Sequence, residues 1–464
     1  MELLPDDVLL EVLGHVDVED LFSCRLVCKR LGGLAVHPDA WRRRTLHPRD
    51  PVLCPVVRLA PCLSSLPLLL PSEGCHWPYR IGCAVEELVL HVERSAGAVH
   101  AALLIERQLA LGRLKRLRVI ILSTEFVDEQ LDETDARVLF ETLASATASG
   151  LECLTVCSDV ANAQNVRLPA TCTLGAVPST MRALTCTHFP RMEPLFDLVL
   201  SSHAATLESV AHITADMTSA VGLLAGLPRL RKLSCELHPG LDALVACKAL
   251  TDLTVMVERE DAQPAGAVRL LGQACQLRKV ALVHGERPSC VAAVEELLLA
   301  LASPARPAAE TLEVTHTSRT PWTPSPVSVR AEPLLGALSR LPALRELTLD
   351  WESDQLLRGV RPGTTPALMS LDLRTQRGDT CGHGWVHNED FMAFMLANPS
   401  LHVRVANWEC DCEFCEDPDC HHQLQCDLWD HEGAYFYSHP EDQCPWQHED
   451  DHDDGIWVRI PLDS

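Results

Sequence analysis

Apolar positions along the chain follow two alternating rhythms. From about residue 81 a loose Leu-x-x-Leu-x-Leu pattern returns, with central residues Leu88, Leu117, Leu154, Leu184, Val210, Leu233, Leu253, Val280, Leu312, Leu347 and Leu371. A degenerate twelfth instance reads Asn398/Leu401/Val403, and the mean interval is about 28 residues. Alternation of this kind predicts a strand at each signature. Between signatures, residues 98–111, 135–145, 195–201, 290–301 and 389–396 carry apolar residues at helical spacing. One strand plus one helix cannot bury its own apolar face, so neighbours must stack. The pattern therefore predicts an α/β fold in which repeats build a curved solenoid with a parallel sheet on the concave side. Leu227-Pro228-Arg229-Leu230-Arg231-Lys232-Leu233 and Leu341-Pro342-Ala343-Leu344-Arg345-Glu346-Leu347 are its plainest copies.

The first residues follow a different rhythm. Pro5 opens a helix without losing a hydrogen bond, and Asp6 and Asp7 complement its positive end. Val8, Leu9, Val12, Leu13 and Val16 share one face, and Gly14 is a helix stop. Asp17 and Asp20 start a second helix with apolar positions Leu21, Cys24, Val27, Cys28 and Leu31. Trp41 follows a break at His37-Pro38. Seven prolines between Pro48 and Pro78 then exclude a long helix or a central strand, which makes 47–80 a stiff connector. Leu66 and Leu68 to Leu70 indicate that it packs against its neighbours. A second proline-rich stretch, 303–333, interrupts the repeats and reads as a rim loop, with Trp322 between prolines.

The order Leu4-Pro5, Leu21 near acidic residues, Val27-Cys28-Lys29 and a distal Trp41 resembles an F-box. Leu31 stands where that family often has Trp, and Asp7 where Glu is more frequent. Followed by repeats of leucine-rich-repeat period, the chain resembles the leucine-rich-repeat class of F-box proteins. The resemblance implies a three-helix unit that docks a Skp-type adaptor, and through it a cullin, through Leu4, Pro5, Val8, Leu9, Val12, Leu13, Leu21, Val27, Cys28 and Trp41. Some of these must instead hold the helical unit together. It also implies no catalytic residue, because ligase chemistry belongs to other subunits.

Charge divides the chain. The net charge is −25, and −16 of it falls in residues 409–464. Such a balance argues against nucleic-acid or membrane-surface partners and favours a basic partner or cations. The sequence shows no secretory leader and no apolar run long enough to span a bilayer, which predicts a cytoplasmic or nuclear protein. Its 21 cysteines, several at apolar positions (Cys153, Cys186, Cys235, Cys247, Cys275), then read as small buried hydrophobes.

The last residues, 406–464, bring candidate chemistry. Cys410, Cys412, Cys415, Cys420, His421, His422 and Cys426 sit at gaps that can close on a tetrahedral zinc, and His439 and Cys444 follow. The competing reading is a metal-free Cys/His-rich segment. Eight of the chain's 21 aromatics lie here, so the segment is expected to be an ordered cap over the last repeat. His383 and His387 have zinc-protease spacing, but Gly384 replaces the general base, and no phosphate-binding loop or nucleophile elbow is present. The sequence thus divides into 1–46, 47–80, 81–405 and 406–464. It reads as the substrate-receiving subunit of a cullin-RING ubiquitin ligase, its target unknown. Two alternatives stand beside this: a ligase-independent scaffold, and a metal-responsive sensor working through the Cys/His segment.

Overall fold

The computed structural model describes residues 4–47, 50–70, 81–93, 95–122, 133–158, 180–187, 193–214, 217–261, 263–303, 308–317, 329–351, 354–375, 385, 387–406, 433–440, 444 and 456–460. They belong to two compact units, Met1–Leu230 and Arg231–Ser464.

The first unit opens with α1 (Asp6–His15), α2 (Val18–Val27), α3 (Lys29–Leu34) and α4 (Pro38–Trp41). That is one helix more than the three-helix unit the resemblance implies, because the second helix is cut. Cys28 adopts extended backbone, φ −158 and ψ 164, and its Sγ accepts from Leu31 N at 3.4 Å, so the chain restarts as α3. Leu21 lies inside α2, where its place in the second helix predicts it, whereas Gly14 lies inside α1 rather than ending it.

The stretch 47–80 is more than a connector. It holds α5 (Leu53–Leu59) and β1 (Cys62–Leu70), so the strands begin before residue 81. Leu66, Leu68 and Leu70 alternate inward and are buried. Pro67 sits opposite Val89 of the next strand. A proline is tolerated because β1 is an edge strand whose other side needs no regular ladder.

Strands β1, β2 (Ala84–Val92), β3 (Arg116–Ile121), β4 (Cys153–Ser158), β5 (Ala183–Thr187) and β6 (Ser209–Ile213) pair in chain order, all parallel. Helices α6 (Ser95–Leu111), α7 (Glu133–Thr147) and α8 (Glu193–Ser202) supply the crossovers from β2 to β3, β3 to β4 and β5 to β6, and α9 (Thr218–Ala225) follows β6. Gln108 of α6 is buried because the backbone needs it there. Its Oε1 accepts from Val85 N at 3.0 Å and its Nε2 donates to Cys83 O at 2.9 Å.

In the second unit β7 (Lys232–Glu236), β8 (Asp252–Val257), β9 (Lys279–His284), β10 (Thr311–His316), β11 (Glu346–Trp351), β12 (Ser370–Thr375) and β13 (His402–Ala406) are again parallel and sequential. A 3-10 turn (Leu241–Ala246) and helices α10 (Ala265–Gln273), α11 (Pro288–Leu301), α12 (Ala331–Leu338), α13 (Asp354–Gly359) and α14 (Glu389–Ala397) lie between them. The series ends in a reversal: β14 (Gly433–Tyr437) runs antiparallel to β13, and β15 (Ile456–Arg459) parallel to β14. The described part of the C-terminal segment therefore extends the sheet. Phe436 seals it, edge-on to Phe391 of α14 at 5.1 Å between ring centroids.

The sequence signatures become ladders. Leu88, Leu117, Leu154, Leu184 and Val210 stand side by side in the first unit. Leu233, Leu253, Val280, Leu312, Leu347 and Leu371 do so in the second. None is more than 3% exposed. The degenerate last signature is corrected by two residues, because Val403 and Val405 oppose Leu371 and Leu373 where Leu401 and Val403 were expected. A shift of two keeps the same face inward, so the apolar pattern alone cannot resolve it.

Cys186 and Cys235 take leucine positions in the ladders, and burial pushes both thiols up to about 12. They are inert small hydrophobes. Cys247 is buried too, but Cys153 is half-buried and Cys275 is exposed, contrary to the sequence expectation for both.

Two consequences of packing can be measured. A Cβ added to Gly266 would lie 2.0 Å from Pro239 O and 2.6 Å from its carbonyl carbon. Backbone atoms cannot rotate away as a side chain would. Gly266→Ala is expected to cost about 1–3 kcal/mol in urea unfolding; an unchanged midpoint would show that α10 shifts freely.

The second concerns His203, fully buried after α8, with neither ring nitrogen hydrogen-bonded. Desolvation lowers its pKa, so the native state resists protonation more than the unfolded chain does. The unfolded state then binds more protons as pH falls through its value of about 6.5, and stability drops there. His203→Leu should flatten that fall between about pH 7 and 5, read from unfolding midpoints.

Candidate functional site

Burial divides the docking residues named from the family pattern. Leu9, Leu13, Leu21 and Trp41 are at most 3% exposed and form the interior of the helical unit. Leu4, Val8, Val12 and Val27 are 41%, 42%, 53% and 68% exposed, and Pro5 and Cys28 are exposed as well. Leu26, absent from the family pattern, is the most exposed of all at 88%. Five of the eleven large apolar side chains exposed among the described residues thus fall between positions 4 and 27. Scattered exposed leucines are ordinary, whereas such a concentration makes this module a candidate contact surface.

The local chemistry explains how these residues are presented. Val8 and Val12 are one turn apart on the outer side of α1, while Leu9 and Leu13 turn inward. Cys28 breaks the chain directly after Leu26 and Val27, leaving them on the last turn of α2. Arg30 then ties α3 back to the start of α1, donating from Nε to Asp6 Oδ1 at 2.8 Å and from Nη2 to the same oxygen and to Leu4 O. The two apolar groups, Leu4 to Val12 and Leu26 to Cys28, are held on a common framework.

Trp41 is the centre of that framework. Its Nε1 donates to Ala35 O at 2.7 Å, and its ring meets Phe22 at 5.7 Å. Arg44 lies over the same ring at 5.7 Å and donates to Ala40 O, to Leu13 O at 2.7 Å and to Val16 O. It thereby supplies donors to the open carbonyls at the end of α1. Burial lowers the Arg44 pKa, with Asp17 pulling the other way. The unit is also stitched to the first strand, where Ser64 N donates to Arg44 O at 2.9 Å and Thr45 bridges Ser65.

A second polar feature lies on the outward face of the second unit's sheet. Glu313, Thr348, Asp372, Arg404 and Tyr435 stand in one row across five strands. Arg374 lies 3.3 Å from Glu313, Arg404 lies 3.5 Å from Asp372, and the Arg404 guanidinium covers the Tyr435 ring at 5.7 Å. Burial raises the Asp372 carboxyl above the usual range, while Arg404 and Arg374 oppose it. Paired charges beside an aromatic ring make a surface that can exchange hydrogen bonds with a protein partner.

Of the residues proposed from sequence for zinc, Cys410, Cys412, Cys415, Cys420, His421, His422 and Cys426 all lie outside the described residues, as does Trp322. Among the described residues, a group of metal-ligating side chains does come together, from positions the sequence reading did not combine: His402, His439 and Cys444. No helix among the described residues is long and apolar enough to cross a membrane.

With this geometry in place, comparison with known families matches residues 1–47 to the F-box-like family. That match covers the four helices together with Arg44 and Thr45, which bond to β1. F-box domains typically bind Skp-type adaptors, so the exposed apolar groups fall on the module for which such a partner is expected. No curated protein matches the chain.

Proposed function

We propose that this protein is the target-receiving subunit of an SCF-type cullin-RING ubiquitin ligase. The observation that carries the reading is the coincidence of the F-box-like match at 1–47 with the concentration of exposed apolar side chains there. On this reading Leu4, Val8, Val12, Leu26 and Val27 enter pockets of the adaptor, each burial contributing about 1.5–3 kcal/mol before the costs of association. The strand-and-helix units are degenerate leucine-rich repeats, and their outward sheet faces hold a protein target. The row from Glu313 to Tyr435 is the strongest candidate contact surface. Its arginines are already paired with acids, which favours an unmodified target over a phosphorylated one.

The mechanism is proximity: the adaptor end recruits cullin and the charged ubiquitin carrier, and a bound target's lysines gain effective concentration there. The protein performs no chemistry of its own. Its place of action is the cytoplasm or nucleus.

Affinity purification from cells with the proteasome inhibited tests this, using the intact chain, Leu26→Ser/Val27→Ser and Arg374→Ala/Tyr435→Ala. Adaptor and cullin should accompany the first and third but not the second. Proteins captured by the first two and lost from the third are the targets. An intact, folded chain that brings down neither adaptor nor cullin ends the ligase reading and leaves the scaffold in its place.

A further inference from the structure

The reversal that ends the parallel strands gathers an unusual donor set. Val403 of β13 opposes Phe436 of β14 in antiparallel register, which places His402 across from the end of β14. His439 follows just beyond Tyr437, and Cys444 closes the group. One ligand atom from each of the three residues lies within 4.8 Å of the others. His402 Nε2 is 3.2 Å from Cys444 Sγ, and the two imidazole rings are 4.8 Å apart between centroids, edge to face.

We infer that His402, His439 and Cys444 form a zinc site that clasps β13 to the segment after β14. Tetrahedral zinc, with bonds of about 2.0–2.1 Å to nitrogen and about 2.3 Å to sulfur, holds its donors about 3.3–3.6 Å apart. His402 Nε2 and Cys444 Sγ stand just short of that range and all three ligand atoms fall within 4.8 Å of one another, so side-chain rotation closes the difference. Two imidazoles and a thiolate are the borderline-soft donors that zinc prefers over carboxylate cages.

The orientation of His439 fits as well. Its Nδ1 lies 2.9 Å from Pro399 O. A carbonyl can only accept, so Nδ1 carries the proton and Nε2 is left with its lone pair as the ligand atom. Metal-bound histidines are commonly steadied in this way by a carbonyl on the other ring nitrogen. Binding replaces the Cys444 S–H by an S–Zn bond and releases that proton to solvent, while both imidazoles bind neutral. Three protein ligands leave a fourth position for water or a further donor.

The site would act as a staple. His402 lies at the start of the last parallel strand, whereas His439 and Cys444 follow the strand that reverses it, so one ion fixes the turn-around without a large core. Its energy is then folding energy of this end of the chain.

Zinc content of the purified full-length protein, grown with zinc and dialysed against a competing chelator, is the first measurement. An equimolar amount should remain in the intact chain and in Cys412→Ser/Cys415→Ser, and be lost from His439→Gln and from Cys444→Ser. These two positions are less buried than His402, whose replacement would risk unfolding the strand. Cobalt titration of the stripped intact chain should give a thiolate-to-cobalt charge-transfer band that Cys444→Ser lacks. Three outcomes overturn the proposal: a folded protein without zinc or a cobalt band, copper in place of zinc, or zinc that follows Cys412 and Cys415 and ignores His439 and Cys444.

Discussion

Leu26→Ser combined with Val27→Ser should weaken binding of a purified Skp-type adaptor by about a thousandfold. Central apolar side chains of an interface cost about 2 kcal/mol or more each when truncated, and every 1.4 kcal/mol is about a factor of ten in Kd. Both side chains are mostly exposed in the unbound protein, so nothing inside it loses a packing partner. Serine replaces two surface residues in the last turn of α2, and unfolding free energy should change by no more than about 0.5 kcal/mol. Titration calorimetry against the adaptor, with a urea curve beside it, reads both quantities. Unchanged affinity in the double variant would remove these residues from the interface.

Trp41→Ala should do the opposite. The side chain is fully buried, its indole N–H is satisfied by Ala35 O, and Phe22 and Arg44 both rest on its ring. Removing it leaves a cavity, an orphaned carbonyl and an arginine without its platform, at a cost of about 3–5 kcal/mol. Amide exchange across residues 6–41 should rise sharply, and adaptor binding should fall with it. The pair of variants separates two roles that the family pattern merges: a variant of Trp41 loses the partner because the module melts, and a variant of Leu26 and Val27 loses it while the module stands. Preserved protection in Trp41→Ala would mean that the helices are held by contacts other than this ring.

Much of the architecture is readable from leucines alone. A signature such as Leu341-Pro342-Ala343-Leu344 fixes a turn and Leu347 the strand after it, because the proline and the inward residues leave the backbone few alternatives. The connector was harder to read. Pro67 argues against a central strand, and β1 escapes the argument by lying at an edge. In the helical unit, apolar residues cover both the inner and outer sides of α1. Periodicity groups Val8 with Leu9 and cannot say which one faces inward.

Leu26 could have been found, since it falls off the Leu21, Cys24, Cys28 face and an apolar residue there has no core to enter. The group of His402, His439 and Cys444 could not. Its members are close only because β14 turns back along β13, whereas spacing along the chain points only to ligands that are neighbours in sequence.

The stitch between Arg44 and Ser64, with the bridge from Thr45 to Ser65, has a consequence for solubility. Strand β1 is the open margin of its sheet, and an uncovered margin recruits strands from other molecules. The residues just after Trp41 occupy part of that margin, and Pro67 offers no N–H along it. Cutting away the helical module at residue 46 would therefore strip a guard from the sheet as well as remove a docking surface. The shortened chain should self-associate in a concentration-dependent way that the point variants do not share.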